Sequence, residues 1–173
     1  MSKNTLIIKN AAKKVNKAVD KGVDNALNKL QKSVPKQIKQ RTQLGTGGNF
    51  NKDLVGGSKK PISKLSGKYK ETRKRYQSNL SSNTGVNTSN LTATGKMLES
   101  LEARRISGGR LEVDTDDKTR SDLTGNGKSY SNKKIREFVE VKRPFLGLLD
   151  FEVEKARRVV RKEIDKELSK ANN

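Results

Sequence analysis

Leu101-Glu102-Ala103-Arg104-Arg105-Ile106-Ser107-Gly108-Gly109-Arg110-Leu111-Glu112-Val113-Asp114-Thr115 reads as two short strands around a glycine pair. Residues 101–107 and 110–115 flank Gly108-Gly109, a two-residue connection whose positive φ angles suit a type I′ turn. Just upstream, Thr92 or Thr94 can cap a short helix through Lys96, Met97, Leu98 and Leu101, with Glu99 near its first turns. The Thr94-Gly95 turn then aims those apolar residues into the sheet. Downstream, the acidic stretch Asp114, Asp116, Asp117 leads into a polar loop around Gly125-Asn126-Gly127. Residues 135–141 predict a third strand, with Ile135, Val139 and Val141 on one face and Arg136, Phe138 and Glu140 on the other. The centre of the chain is therefore a small antiparallel sheet.

Helical periodicity surrounds that sheet. Over residues 5–33, Ile8, Ala12, Val15, Val19, Val23, Ala26 and Leu30 recur at spacings of three and four, predicting an amphipathic helix that Pro35 interrupts or ends. Its other face carries Lys9, Lys13, Lys17, Lys21 and Lys32. A stripe of Val and Ala, without Trp or Phe, suits packing against protein better than insertion into a membrane surface. Gly45, Gly47, Gly48, Gly56 and Gly57 predict a loop or arm over 43–60. Those glycines are not a phosphate loop, because the order is Gly-Gly-Ser-Lys-Lys followed by Pro61. A second helix is expected over 63–77, where Lys64, Lys68, Lys70, Arg73, Lys74 and Arg75 surround Leu65, Tyr69 and Tyr76. Residues 78–90 are nearly all Ser, Asn, Thr and Gly, a linker by composition. Arg143-Pro144-Phe145-Leu146-Gly147-Leu148 makes a rigid apolar connection to a last helix, with Asp150 as its cap and Leu149, Val153, Ala156, Val160, Ile164 and Leu168 as its stripe. The expected organisation is an amphipathic basic helix (1–42), a glycine-rich loop or arm (43–60), an α+β domain (61–170) and a tail (171–173).

Composition narrows the chemistry. With no His, Cys or Trp in 173 residues, there is no Ser-His-Asp triad, no Cys-His nucleophile, no thiolate zinc site and no histidine acid/base. Neither a cofactor nor a metal is expected. Lys and Arg number 39 against 19 acidic residues, a net charge of +20 that favours encounter with phosphate backbones or acidic protein surfaces. A hydrophobic content of 30% is thin for a chain that must offset its folding entropy with its own core. Order completed by neighbouring subunits is the corresponding expectation, and partial disorder in isolation predicts the same composition. The run Leu6-Ile7-Ile8 is too short for a signal-peptide core, and no segment is long enough to span a bilayer.

The segment Asn90-Leu91-Thr92-Ala93-Thr94-Gly95-Lys96-Met97-Leu98-Glu99-Ser100-Leu101, the hairpin after it, and Arg143-Pro144-Phe145-Leu146-Gly147-Leu148 before an amphipathic helix together resemble the tail-completion or virion-morphogenesis proteins of tailed bacteriophages. Leu65-Ser66-Gly67-Lys68-Tyr69-Lys70 is similar to the basic stretch that precedes the Thr-Gly motif in that family, so the likeness runs from about Ile62 to Leu168. The chain departs from the family's His-x-x-Gly segment, having Lys133-Lys134-Ile135-Arg136-Glu137-Phe138 in its place. The resemblance implies a non-enzymatic structural protein of the virion, made in the host cytoplasm and forming a homo-oligomeric ring at the neck or tail junction against connector and tail proteins. DNA in the neck lumen is a further contact it allows. Expected partner contacts are Ile8, Val15, Val19, Val23 and Leu30 on the first helix, with Phe145 and Leu146 inserted as anchors; Thr94, Gly95, Pro144 and Gly147 set the turns.

Two other readings compete. Lys64, Lys68, Lys70, Arg73, Lys74 and Arg75 suit a sequence-independent nucleic-acid contact, although Tyr69 and Tyr76 are the sole aromatic residues among them. Asp114 with Glu140 and Lys142 mimics a magnesium-dependent nuclease, yet strand alternation puts Glu140 and Lys142 toward solvent.

Overall fold

In a computed structural model the described residues are 3–50, 56–62, 64–67, 70–71, 74, 96–120 and 129–172, without the side chains of 3–10, Arg120 and Lys142. The fold is α+β. Helix α1 (Lys3–Gln43) is followed by strands β1 (Thr46–Phe50) and β2 (Gly57–Pro61), a one-turn helix α2 (Lys96–Glu99), strands β3 (Leu101–Ile106) and β4 (Arg110–Thr115), the two-residue strands β5 (Thr119–Arg120) and β6 (Tyr130–Ser131), helix α3 (Asn132–Lys142) and helix α4 (Asp150–Asn172). Among the described residues the strands form three antiparallel pairs, β1–β2, β3–β4 and β5–β6.

Helix α1 is the spine, with α4 packed along it. The two run antiparallel, because Lys21 pairs with Glu167, Lys29 with Glu163 and Arg41 with Glu152. The β3–β4 hairpin also lies against α1. Strand alternation sends Leu101, Ala103 and Arg105 toward the helix, so Arg105 ion-pairs with Asp24. The core joins Leu30, Val34 and Ile38 of α1, Met97, Leu98 and Leu101, and Phe145 and Leu146.

The fold departs from the sequence expectations at four places. Helix α1 does not stop at Pro35, which sits buried inside it between the core residues Val34 and Ile38. A proline ring forfeits one hydrogen bond, but the apolar burial that continues on both sides holds the helix together. The glycine-rich 43–60 segment contains the β1–β2 ribbon. Residues 135–141 lie in a helix: Ser131 caps α3 by accepting from the Lys134 amide at 3.2 Å, so Ile135 and Val139 share the buried side while Phe138 and Val141 are exposed. The hairpin ladder closes at Ile106–Arg110, leaving a three-residue loop in which Gly108 and Gly109 have φ of 76° and 68°.

The expected stripe of α4 is likewise altered. Leu149 just precedes the helix, Val153, Ala156, Val160, Ile164 and Leu168 are half-buried, and the fully buried positions are Glu152, Glu163 and Glu167. Helix α4 reaches α1 at Gly22, where an added Cβ would lie 2.6 Å from the Ile164 Cα. Gly22→Ala is expected to cost about 1–3 kcal/mol by forcing the helices apart, although alanine favours a helix. An unchanged thermal midpoint would contradict that close approach.

Candidate functional site

The segment 143–149 is fixed in the middle of the molecule. Arg41, at the end of α1, ion-pairs with Glu152 and donates to the carbonyls of Phe145 and Gly147. The Phe50 ring lies 5.3 Å from its guanidinium. Glu152 also accepts from the Leu149 amide at 2.8 Å, tying the first turn of α4 back to the residue that precedes it, whereas Asp150 does not cap the helix. Asp150 is the first helical residue and accepts from the Gly57 amide at 2.9 Å. On the other flank, the Glu140 carboxylate takes the amides of Phe145 at 3.1 Å and Leu146 at 3.2 Å. The ribbon closes round the same segment: the Gly48 amide donates to the Pro144 carbonyl and the Gly56 amide to that of Leu148. A Cβ at Gly47 would strike the Pro144 carbonyl, which is why glycine occupies this strand.

Burial lowers the Arg41 pKa from its ordinary value, against the pull of Glu152 and Glu140; a guanidinium nonetheless stays charged in proteins. Burial raises the Glu140 carboxyl, against the amides of Leu146 and Phe145 that favour its charged form. This is a locked structural network with its charged groups committed to backbone and to each other. Arg41 and Glu152 are the residues that sequence reading misses. Their signal is positional, since Val34, Ile38 and Arg41 share one helical stripe, as do Glu152 and Ala156.

Phe145 is fully buried and Leu146 nearly so, and both fill the chain's own core, with Leu146 also at the floor of the groove between α1, β4 and α4. Pro144 is exposed, and Gly147 is buried with its carbonyl on Arg41. On α1, Val15 is 44% exposed, Val19 and Val23 are half-buried and Leu30 is in the core. The side chain of Ile8 lies outside the described residues, as do Thr94, Gly95, Lys68, Arg73 and Arg75. Of the basic patch, Lys64 is exposed outside any helix, while Lys70 and Lys74 are helical, the first half-buried and the second exposed; most of the expected second helix lies outside the described residues. Of the nuclease-like trio, Asp114 and Glu140 are each engaged elsewhere, and the Lys142 side chain lies outside the described residues. Glu140 holds the 143–149 turn, Asp114 makes a bidentate pair with Arg136 at 3.0 and 3.1 Å, and the described residues contain no acidic cluster able to hold a metal.

No family model, curated protein or solved structure matches this chain.

Two surface features remain. Residues 11–17 of α1, containing Ala11, Ala12, Lys13, Lys14, Val15 and Lys17, are all exposed. Further along, between α1, β4 and α4, an apolar groove of about 400 Å³ is lined by Leu30, Val34, Ile38, Leu111, Val113 and Leu148, with Glu112, Asp114 and Arg136 along its edge. No described helix is long and apolar enough to cross a membrane.

The seam between α1 and α4 is expected to respond to pH. Hydrogen bonding from Lys29 holds the Glu163 carboxyl below its ordinary range, and Lys170 and Lys21 do so for Glu167. Both have little accessible area but lie at the edge of the seam, where desolvation is the lesser effect. Because their folded values are depressed, the stability they contribute is present above the unfolded value and lost as pH falls through the folded one. Glu140, being raised, acts with the opposite sign, favouring the folded state at low pH and less so as pH rises through its folded value. The urea midpoint is expected to fall on acidification from about pH 6 to about pH 3. Glu163→Gln combined with Glu167→Gln should flatten that fall; an unaltered slope would place the acid sensitivity elsewhere.

Proposed function

We propose that this chain is a non-enzymatic structural protein of a tailed-phage particle, acting at the neck or tail junction. It forms a homo-oligomeric ring and contacts adjacent connector and tail proteins, in the virion and beforehand in the host cytoplasm. The observation that carries this reading is the wholly exposed end of α1 over residues 11–17. An amphipathic stripe that its own fold leaves uncovered fits a protein whose packing is finished by neighbours. The ordered likeness of residues 62–168 to tail-completion proteins supports the particular assembly. Phe145, Leu146 and Leu30 belong to the core in this reading, and Val15 and its neighbours carry the contact. The test combines the native mass of the purified protein with its presence in isolated particles. A ring-sized oligomer found in mature virions is expected; a monomer absent from them would refute the proposal.

Exposed Lys155, Arg158, Arg161, Lys162 and Lys166 along α4 support a second reading, sequence-independent contact with nucleic acid. That reading expects a monomer whose affinity for DNA falls steeply with added salt.

A further inference from the structure

Charge is unevenly placed for a chain of net +20. From Lys3 to Lys17 there are five lysines and no acidic residue, whereas Glu99 to Asp117 holds six carboxylates against three arginines. Some of those acids are paired, Glu102 with Arg104, Asp114 with Arg136 and Asp116 with Lys118. Glu112 stands at the edge of the apolar groove, and with Asp116 and Asp117 it also lines the polar hollow on the hairpin's outer face. The groove thus has an apolar floor and a rim on which Glu112 is exposed and Asp114 is held by Arg136, with the acidic hollow of Asp116 and Asp117 beside it.

The exposed end of α1 has the complementary character. In the sequence Ile8, Ala12, Val15 and Val19 are spaced four, three and four apart, the anchor pattern of a helix lying in a groove, with Lys9, Lys13 and Lys17 one or two residues from them along the flank. This end cannot enter the groove of its own chain. Val15 and Val34 lie on one continuous helix, about 28 Å apart along its axis at 1.5 Å per residue, and Val34 is part of the groove floor.

We infer that the basic, apolar-striped end of α1, centred on Lys13, Val15 and Lys17, docks in the groove between α1, β4 and α4 of a second copy, against Glu112 on its rim and Asp117 of the adjoining hollow. The inference rests on the ring reading and supplies its contact. Such a contact is head-to-tail: each copy offers one arm and one groove, so the assembly closes into a ring when the rotation permits. Opposite charge fixes the register, and the apolar stripe supplies the buried area.

Charge reversal tests it. One variant carries Lys13→Glu, Lys14→Glu and Lys17→Glu; another carries Glu112→Lys and Asp117→Lys; a third carries all five. Val15→Asp probes the apolar part. All five charged positions are exposed, so circular dichroism and thermal melting should match the parent. By analytical ultracentrifugation, either charge set and Val15→Asp are expected to weaken self-association at least ~10-fold. The five-substitution chain should regain it, as should an equimolar mixture of the first two variants. A parent oligomer insensitive to either set overturns this contact while leaving the ring intact. Dissociation without recovery in the combined chain overturns the arm-to-groove pairing. A parent that is monomeric at every concentration, with the lysine set abolishing only DNA binding, overturns the contact and the ring together.

Discussion

Arg41→Met is expected to lower the free energy of unfolding by about 3–5 kcal/mol, because it strands a buried carboxylate and two buried carbonyls. Glu152 is 3% exposed, and the carbonyls of Phe145 and Gly147 lie where Arg41 reaches them. Water cannot readily replace a planar guanidinium that serves three acceptors at once. The measurement is a urea titration at neutral pH. Adding Glu152→Leu to Arg41→Met should recover part of the loss, since a buried ion pair exchanged for apolar groups is often tolerated. A single variant within about 0.5 kcal/mol of the parent would mean that Arg41 does not anchor the segment.

Phe145→Ala is expected to cost about 3–5 kcal/mol through the cavity it leaves. Its ring is fully buried in the cluster that joins α1, α2 and the 143–149 turn, and its amide is held by Glu140. A retained backbone lock around an empty site prevents the surroundings from collapsing to fill it, which favours the upper part of that range. Thermal melting checks it. An unchanged midpoint would remove Phe145 from the core and return it to the surface role that its sequence context first implied.

The contrast between those two residues shows what the sequence makes legible. Phe145 stands in an apolar run behind a proline, so its importance is readable, but whether it faces the core or a partner is not. That depends on Arg41, more than a hundred positions away, which pins the turn inward. Arg41 itself hides among the many basic residues of a chain with 39 of them, and its placement on the stripe of Val34 and Ile38 is the one local clue. The hairpin was readable because Gly108-Gly109 carries a local conformational demand. Strand β1 was not, because Gly47 and Gly48 are chosen by the approach of Pro144 and Leu149, a contact made only after folding. Residues 135–141 misled because Ile135, Val139 and Val141 fit alternation and Ile135 and Val139 also fit a helical turn. The cap supplied by Ser131 decides between them, and it lies outside that window. The end of α1 was overshadowed by Pro35, a strong local signal that tertiary burial overrides.

The candidate site divides in the same way. The stripe of α1 could be read from spacing alone, and its inner half, from Ala26 and Leu30 onward, is buried within the chain. The groove could not be read, since it is assembled from α1, β4, the 146–148 turn and α4.

Native mass spectrometry of the full-length protein, across a range of concentrations and at low salt, tests the assembly most directly. A discrete ring, seen as a single multiple of the chain mass greater than two, is the predicted result. A chain that stays monomeric at every concentration, folded and with α1 protected from hydrogen exchange along its whole length, would contradict it.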